Sequence, residues 1–320
     1  MNQPLVSVII PNYNHAQFLK ERIDSVLRQW FKDFEIIILD DCSSDNSKAV
    51  IEEFKGEDKI VHVEFNEKNS GSPFKQWVKG IELAKGDLIW IAESDDLADS
   101  QFLEKIVPEF EDPEVVLVFT DCKIINENSE ELHENNPWIH DPSLDLGTQE
   151  KTWKGQDFLE EYQRYRNFVS NASSAVFRKD ALEVKLLEKI QAYRYSGDWL
   201  FWSTLALKGK VTFIPESPCS WRSHDASTRS IDDLQKDYNR LKEASRVISE
   251  TRQFLKTKAV LSNYEWLLHW WLSRYSYRNL WKRNYIFTTL PFKRLFIVFY
   301  FKLLMRTGKE VFFSVKSKLS

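Results

Sequence analysis

The sequence predicts an α/β fold in which a doubly wound, mostly parallel central sheet is flanked by helices and followed by a helical C-terminal extension. Short apolar runs alternate with amphipathic segments up to about residue 125, as expected for repeated strand–helix units. Such repeats imply parallel strands joined by right-handed connections. Long helical periodicity begins at Asp232. We therefore expect an α/β domain over residues 1–230 and a helical extension over residues 231–320.

The predicted elements of the first part follow one another closely along the chain. Apolar runs predict strands at Leu5–Ile10, Glu35–Leu39, Ile60–Phe65, Leu88–Ala92 and Val115–Phe119. Amphipathic periodicity predicts helices at His15–Gln29, Asp45–Phe54 and Pro73–Ala84. Ser44 or Asp45 is expected to cap the second helix, and Lys85-Gly86 to stop the third.

A polar stretch separates these units from the remaining elements. Glu127–Lys151 contains Asn135-Asn136-Pro137 and predicts a long loop that could cover a site. Further strands are predicted at Ser174–Phe177, Val211–Pro215 and Cys219–Arg222, and further helices at Asp180–Gln191 and Gly197–Leu207. Residues from Asp232 to Trp281 are rich in Trp and Tyr and predict long helices.

Composition indicates a folded, water-soluble protein. Hydrophobic residues make up 42% and charged residues 29% of 320 residues, and a net charge of −4 gives no reason to expect a nucleic-acid partner. The three cysteines are widely spaced, which favours a reducing cytosol. The N-terminus leads into a strand without a preceding basic region, so we expect no signal peptide. The apolar run Leu295–Phe301 is too short to span a bilayer.

The C-terminal stretch differs from the rest of the chain in charge. From Lys282 onward the chain has nine basic residues and a single acidic residue, Glu310. Clusters of aromatic residues alternate with the basic residues. A basic amphipathic helix of this kind could lie on an anionic membrane, or it could pack its aromatic side chains against protein. We expect a cytoplasmic protein, with peripheral contact to the inner face of the membrane slightly favoured. The sequence does not indicate the oligomeric state.

Two acidic clusters directly follow predicted strands in the sequence. Asp40-Asp41 follows Glu35–Leu39, and Glu93-Ser94-Asp95-Asp96 follows Leu88–Ala92. In open parallel sheets the ligand site lies beyond the carboxyl ends of the strands, so both clusters should face one crevice. Adjacent carboxylates repel each other unless a cation compensates them. A divalent metal with oxygen ligands, shared with a phosphorylated ligand, explains both clusters.

The same residues carry a resemblance to a known family. Val6-Ser7-Val8-Ile9-Ile10-Pro11-Asn12-Tyr13-Asn14 resembles the first strand of the family 2 glycosyltransferases, which have the GT-A fold, and Asp40-Asp41-Cys42-Ser43-Ser44-Asp45 is similar to their second motif. Asn69-Ser70-Gly71, Ala84-Lys85-Gly86-Asp87 and Glu93-Ser94-Asp95-Asp96 follow in the family's order and spacing. The resemblance covers roughly residues 5 to 225. Each piece is weak alone, but the five in sequence are strong.

The resemblance implies a catalytic domain that binds a nucleotide-sugar and a divalent metal, Mg²⁺ or Mn²⁺. It assigns the nucleotide-sugar to Pro11, Asn14, Asp40, Asp41, Gly71, Lys75, Asp95 and Arg222. It assigns the metal to Asp95, Asp96 and His224, and the catalytic base to Asp198. Many relatives have Asp where this chain has Glu93, and often Glu where it has Gly197, which leaves the roles of these two positions open.

Each of these residues also has a structural alternative. Asp40 and Asp41 could form a turn, Asp95 and Asp96 could cap a helix from Asp99, and Asp198 could cap the next helix. Arg222 could pair with a phosphate or support an acidic residue. Lys75 could reach the nucleotide or lie on a solvated helix face. Asn171 and Arg178 flank a strand that the resemblance places beside the acceptor.

The resemblance therefore implies an inverting glycosyltransferase. It would move a sugar from a nucleotide diphosphate donor, with a UDP-sugar favoured, to a saccharide or lipid-linked saccharide acceptor, in bacterial surface polysaccharide synthesis. A nucleotidyltransferase would need a Gly-rich basic loop where this chain has Pro11–His15. A Mg²⁺-dependent signalling module would be shorter and would leave Asp198 and His224 unexplained. A catalytically silent sugar-nucleotide binder is the third alternative, because of Glu93 and Gly197.

Overall fold

The computed structural model of the chain describes residues 4–141, 144–224, 234–259, 261–264 and 266–267, with the single positions 270, 301 and 305. The chain divides into two compact units, Met1–Ser230 and Ile231–Ser320. The first unit contains the sheets and the predicted site residues.

The central sheet of the first unit has eight strands. They are β1 (Val6–Asn12), β2 (Phe34–Asp40), β3 (Ile60–Phe65), β4 (Leu88–Ile91), β6 (Val115–Thr120), β11 (Lys151–Lys154), β12 (Ala175–Arg178) and β13 (Lys210–Ile214). Their spatial order is β11-β13-β6-β12-β4-β1-β2-β3. β12 is antiparallel to both of its neighbours and β11 is antiparallel to β13, while the other six strands share one direction. The predicted mostly parallel sheet is confirmed.

Helices cover both faces of this sheet. They are α1 (Ala16–Leu27), α2 (Ser47–Glu53), α3 (Pro73–Leu83), α4 (Phe102–Ile106), α5 (Gly155–Phe158), α6 (Val184–Ile190) and α7 (Gly197–Ala206). Every residue of β1 and β2 is buried, which explains why both strands are continuous apolar runs without alternation. On one face α3 approaches β1 so closely that a Cβ at Gly80 would lie 2.4 Å from Ile9.

A second, four-stranded sheet brings distant parts of the sequence to the acidic motif. It consists of β5 (Leu97–Ala98), β7 (Lys123–Ile125), β8 (Glu131–His133) and β14 (Cys219–Arg222) in the order β5-β14-β7-β8. β5 starts directly after Asp96 and pairs antiparallel with β14, with Ser220 opposite Leu97. This pairing carries the chain just beyond β14 back to the end of β4.

Several sequence predictions differ from the structure. The stretch predicted as one long loop contains β8 and a hairpin of β9 (His140–Asp141) and β10 (Leu144–Asp145). The helix predicted from Asp180 begins only at Val184. The residue directly before α2 is Asn46, which makes no side-chain cap bond. The Asp45 carboxylate instead accepts hydrogen bonds from the amides of Ala16 and Ser47, which joins the starts of α1 and α2.

The second unit begins with the predicted helix. α8 spans Leu234–Thr251 and buries Leu241, Ala244, Val247 and Ile248, a spacing that places them on one face. A short 3-10 turn, Arg252–Phe254, follows it. The basic stretch from Lys282 lies outside the described residues, apart from Phe301 and Met305. In the part of the chain that the structure describes, no helix is both long and apolar enough to cross a bilayer.

Candidate active site

Three adjacent parallel strands end at the same edge of the central sheet. β1 lies between β2 and β4, with Asn12 opposite Asp40 and Ile9 opposite Ile91. The segments that follow these strands therefore meet beyond their carboxyl ends, as expected for a ligand site in a parallel sheet. Asp40-Asp41 spans the end of β2, and Glu93-Ser94-Asp95-Asp96 lies in the segment after β4.

Asp40 organises the loops after β1 and β2. Its carboxylate accepts hydrogen bonds from the Asn12 amide group (2.7 Å), the Ser43 hydroxyl (2.6 Å) and the Ser43 backbone N–H (2.9 Å). Asn14, at φ +57°, accepts the Ser44 backbone N–H on its side-chain oxygen (2.7 Å). Pro11 is buried within β1, directly before these loops. Asp40, Asn14 and Pro11 thus lie together where β1 and β2 end, and with Asp41 they are called the rim below.

Asp41 holds the loop between β3 and α3. Its carboxylate accepts hydrogen bonds from Asn66 (2.7 Å), from the backbone and hydroxyl of Ser70 (2.9 and 2.8 Å), and from Gln76 (2.9 Å). The side chain is therefore fixed in orientation, and its carboxylate already accepts several hydrogen bonds. A base N–H that contacts Asp41 would have to share this carboxylate with the loop.

The predicted nucleotide-sugar residues Gly71 and Lys75 lie in and just after this same loop. Gly71 has φ +80°, and its N–H donates to the Asn69 side chain (2.8 Å). Lys75 lies on the exposed face of α3 and donates to the Ser70 carbonyl (2.8 Å). Of its two predicted locations, Lys75 therefore occupies the solvated helix face, with its ammonium group turned toward the loop.

The acidic motif after β4 contributes to a group of three metal-ligating side chains. One ligand atom each from His15, Asp95 and His224 lies within 4.8 Å of the others. His224 Nε2 is 3.0 Å from Asp95 Oδ2, and its side chain is 2% exposed. The buried Nδ1 of His224 has no hydrogen-bond partner among the described residues. Two imidazoles and a carboxylate whose ligand atoms lie this close together fit a divalent metal.

Asp96 does not belong to this group. Its Oδ1 accepts the backbone N–H of Arg222 (3.0 Å), and the residue is 2% exposed. The assignment of Asp96 to the metal therefore stays a prediction. It caps no helix either: α4 is preceded by Gln101 and has no side-chain cap, so the helix-cap alternative for Asp95 and Asp96 is wrong.

The carboxyl groups of the motif have strongly shifted acidities. Burial and the charge of Asp95 raise the pKa of Glu93 to about 8 and that of Asp96 to about 6. Burial also acts on Asp95, but the hydrogen bond from His224 and the charge of His15 bring its pKa below the ordinary value. Arg22, fully buried with its guanidinium 5.0 Å from the Trp90 ring, opposes the rise of the Asp96 pKa.

Arg222 holds the backbone of the acidic motif in place through hydrogen bonds. Its guanidinium is fully buried and donates to the Asp95 carbonyl (2.7 Å), to Glu21 (2.9 Å) and to the Ser129 hydroxyl (2.9 Å). Further bonds reach the carbonyls of Asn126 and Glu127. The support of an acidic residue, one of the two predicted roles, is thus the one seen here. A direct contact with a phosphate would require several of these bonds to break.

Asp198 lies in the first turn of α7, which starts after Ser196, so it is not the N-cap. Its Oδ2 accepts a hydrogen bond from the Asn167 side chain (2.9 Å), and its Oδ1 accepts the backbone N–H of Trp199 (2.8 Å). Asn167 is itself held by Gln163 (2.8 Å). The carboxylate is thus held in one orientation by two donors.

The α3 helix connects α7 to the acidic motif. The Trp77 indole N–H donates to Glu93 (2.9 Å), and the Trp77 ring lies edge-on to Phe201 of α7 at 5.8 Å. The predicted location of Arg178 beside the acceptor is wrong. Because β12 is antiparallel to β4 and β6, Arg178 lies at the opposite edge of the sheet, where it donates to the carbonyls of Phe110 and Val115. Asn171 caps a 3-10 turn through Ser173.

Sequence reasoning missed two residues of this arrangement, His15 and Asn167. A signal existed for His15, because a histidine three residues beyond the end of β1 must lie near the acidic motif at the end of the adjacent β4. No comparable signal existed for Asn167, which belongs to an irregular segment after the π-helical turn Leu159–Gln163.

Comparison with known proteins identifies the family. The sequence profile described as "Glycosyl transferase family 2" matches residues 7–184. TuaG of Bacillus subtilis (strain 168), a glycosyltransferase provisionally assigned to teichuronic acid biosynthesis, is 31% identical over 140 residues, which are 44% of this chain and 54% of TuaG. GlyG of Streptococcus pneumoniae, a glycosyltransferase, is 32% identical over 36% of this chain and 38% of GlyG. The matches thus span about half or less of these two relatives.

Solved structures agree on the fold. Staphylococcus aureus TarS 1–349 in complex with UDP-GlcNAc matches 84% of this chain and 70% of TarS 1–349 with a TM-score of 0.56 at 17% identity. The mannosyltransferase PcManGT of Pyrobaculum calidifontis, in complex with GDP-Man and Mn²⁺, matches 84% of this chain and 69% of PcManGT with a TM-score of 0.52 at 16% identity. These likenesses confirm the predicted GT-A class. Because the profile covers more than half of the sequence and the fold agrees with it, the chain belongs to glycosyltransferase family 2.

Proposed function

We propose that this glycosyltransferase is metal-dependent and inverting, and that it moves a sugar from a nucleotide diphosphate donor, with a UDP-sugar favoured, to a saccharide or lipid-linked saccharide. The observation that carries the proposal is the convergence of Asp95 and His224 beyond the end of β4 in a chain of this family. Structural relatives support the donor class, since TarS was solved with UDP and UDP-GlcNAc and PcManGT with GDP-Man and Mn²⁺.

On the donor side, Asp95 and His224 would hold a divalent metal, either Mg²⁺ or Mn²⁺. When bound, such a metal stabilises the negative charge that develops on the leaving nucleoside diphosphate. Arg222 would keep Asp95 in place through its carbonyl, and Asp96 would tie the motif to the backbone of β14. The rim formed by Pro11, Asn14, Asp40 and Asp41 would receive the nucleoside.

On the acceptor side, Asp198 would act as the base. The acceptor hydroxyl oxygen attacks the anomeric carbon from the face opposite the diphosphate and forms the new C–O bond. The bond from the anomeric carbon to the phosphate oxygen breaks, and its electron pair leaves with the diphosphate. The hydroxyl proton passes to Asp198, whose carboxylate is oriented by Asn167 and by the Trp199 amide. One displacement inverts the anomeric configuration.

Relatives and the charge distribution support the proposed acceptor and cellular setting. TuaG is assigned, provisionally, to teichuronic acid biosynthesis, which supports a role in bacterial surface polysaccharide synthesis. A lipid-linked acceptor would place the enzyme at the inner face of the cytoplasmic membrane, and the basic stretch from Lys282 would favour peripheral contact there.

The test is calorimetric titration of the full chain with UDP, GDP and dTDP, each with and without Mn²⁺. We expect one nucleotide to bind only with metal and the D95A/D96A double variant to lose that binding. The matched control is D24A/D112A, which removes two exposed or half-exposed carboxylates elsewhere in the first unit. Failure of every nucleotide to bind a folded wild-type protein would contradict the donor site. Nucleotide binding without transfer to any acceptor would favour the silent binder.

A further inference from the structure

The strongest feature that the proposed function leaves unused is His15. We infer that His15 is a third protein ligand of the metal, and that the resulting set of two imidazoles and one carboxylate makes the site prefer Mn²⁺ and Co²⁺ to Mg²⁺. The inference rests on the proposed function, because it concerns the same metal site, but it adds a residue and a class of metal that the proposal leaves open.

The structure fixes the orientation of the His15 ring. His15 follows the loop after β1 and directly precedes α1, and its Nδ1 is 2.8 Å from the Ser94 hydroxyl oxygen. With Nδ1–H donating to Ser94, the lone pair of Nε2 is left for a metal. Metal-binding histidines generally use their second nitrogen in this way, which sets the tautomer and the ring orientation. Ser94 lies within the acidic motif, so ring and motif are held together.

The second imidazole is placed equally firmly. The His224 ring packs on Phe18 of α1 with 4.8 Å between centroids, and it lies edge-on to the His15 ring at 5.5 Å. His224 Nε2 and Asp95 Oδ2 are 3.0 Å apart. Two ligands at right angles on one ion, with bonds of about 2.1 Å, have this separation. The three ligand atoms lie within 4.8 Å of one another, so small side-chain movements would bring all three onto one ion.

The donor set determines which metals fit. Mg²⁺ binds oxygen ligands and keeps several waters, whereas imidazole nitrogen favours later first-row metals. A site with Asp95 and one imidazole would discriminate weakly between Mg²⁺ and Mn²⁺. A second imidazole strengthens binding of Mn²⁺ and, by the general order of affinities, of Co²⁺ still more. His15 would therefore set the metal selectivity of the enzyme.

The test measures metal binding rather than activity. Free Mn²⁺ is followed by electron paramagnetic resonance during titration of the full chain in the presence of UDP, and Co²⁺ and Mg²⁺ are added as competitors. We expect H15Q to weaken Mn²⁺ and Co²⁺ binding about tenfold or more while Mg²⁺ binding changes little. H133Q, the same substitution at an exposed histidine of β8, is the matched control and should behave as wild type.

A spectroscopic measurement separates a ligand from a structural residue. Electron spin-echo modulation of bound Mn²⁺ should show coupling to two imidazole nitrogens in the wild type and to one in H15Q or in H224Q. A single coupled nitrogen in the wild type would overturn the inference, and this result does not depend on any variant being folded. So would wild-type Mn²⁺ affinity in H15Q.

The two proposals can fail separately. If H224Q and D95N weaken Mn²⁺ binding and H15Q binds Mn²⁺ as tightly as the wild type, the proposed metal-dependent function stands and His15 is not a ligand. If the wild type binds UDP but no Mn²⁺, the metal dependence itself falls, and the inference falls with it. Tighter binding of Mg²⁺ than of Mn²⁺ by the wild type would contradict the predicted selectivity alone.

Discussion

At the scale of single residues, Gly197 beside the proposed base lies where a larger residue would meet Phe74. A Cβ at position 197 would lie 2.7 Å from two ring carbons of Phe74, and Gly197 is buried at the start of α7. Phe74 in turn packs against Trp77, which contacts Glu93. A larger residue at position 197 would therefore push on the helix that connects Asp198 to the acidic motif.

We predict that G197A destabilises the protein although alanine is the better helix former. The forced shift of Phe74 should cost about 1–3 kcal/mol, against a gain of about 1 kcal/mol from helix propensity. Thermal unfolding of G197A, F74L and the double variant measures this. We expect the double variant to recover part of the loss, because leucine frees the space of the ring. Strictly additive effects would contradict a direct contact between the two residues.

Asn167 offers a second residue-scale prediction. Because it donates to Asp198 and is held by Gln163, N167A should let the proposed base rotate. We expect kcat to fall about tenfold or more, with little change in the KM for the donor, since misplacement affects the chemical step. N128A, at an exposed position of the β7–β8 connection, is the control. A rise in donor KM with unchanged kcat would show that Asn167 serves substrate binding instead.

Prediction from sequence depended on whether a residue's neighbours are local. Asp95, His224 and Asp198 could be predicted as site residues because they stand in recognisable motifs at strand and helix ends. The groups that donate hydrogen bonds to the Asp41 carboxylate lie 25 to 35 residues further along the chain. The partners of Arg222 lie in α1 and in the β7–β8 connection. Such contacts depend on loop conformations, which periodicity does not encode.

At the scale of elements, the β9–β10 hairpin is fastened to the central sheet by a histidine between two carboxylates. Asp121 follows β6 and is fully buried, and its Oδ2 is 2.7 Å from Nε2 of His140. Nδ1 of His140 is 3.0 Å from Asp145 in the facing strand of the hairpin. The Asn136 backbone N–H also donates to Asp121 (3.0 Å). The stretch predicted as a covering loop is thus anchored at the carboxyl end of β6.

This anchor should depend on pH. Burial lowers the pKa of His140, but the bonds to Asp121 and Asp145 outweigh it and raise the pKa above 6.5, while burial raises the pKa of Asp121. A raised histidine pKa adds stability that is complete below pH 6.5 and is lost as pH rises through the folded-state pKa. We predict that H140Q is less stable than wild type by about 1–2 kcal/mol near pH 6.

The same prediction requires this difference to shrink toward pH 9, because the wild-type imidazole then loses its charge. Denaturant unfolding of both proteins across this range is the measurement. H62Q is the control, since His62 lies on the edge strand β3, where its side chain pairs with the partly exposed Glu64. A difference that stays constant or grows with pH would contradict the charged anchor.

The elements predicted well are those whose signal is strong and local. β1, β2 and β4 are apolar because they are buried on both faces, so their runs stand out. β8 is exposed, and β9 and β10 have two residues each, so no alternation can form and the sequence indicates only a loop. Such short strands form through hydrogen bonds to a neighbouring strand, which the local sequence does not reveal.

At the scale of the whole molecule, charge is divided unequally along the chain. The last 39 residues carry nine basic residues and one acidic residue, a net charge of +8, within a chain of net −4. Residues 1–281 therefore carry a net charge of −12. An acidic protein of this kind is repelled by anionic lipid except through its basic stretch. Overall net charge consequently says little about membrane attraction, whereas its distribution says much.

We predict that the full chain cosediments with vesicles containing anionic lipid, and not with purely zwitterionic vesicles. Each basic residue near such a surface contributes about 1 kcal/mol, and added salt screens the attraction. K293E/R294E should weaken the binding strongly, whereas K20E/K48E, two exposed lysines of the first unit, changes the net charge equally and should weaken it little. Equal loss in both double variants would mean that net charge alone governs binding. Undiminished binding in high salt would point to apolar insertion of the aromatic residues instead.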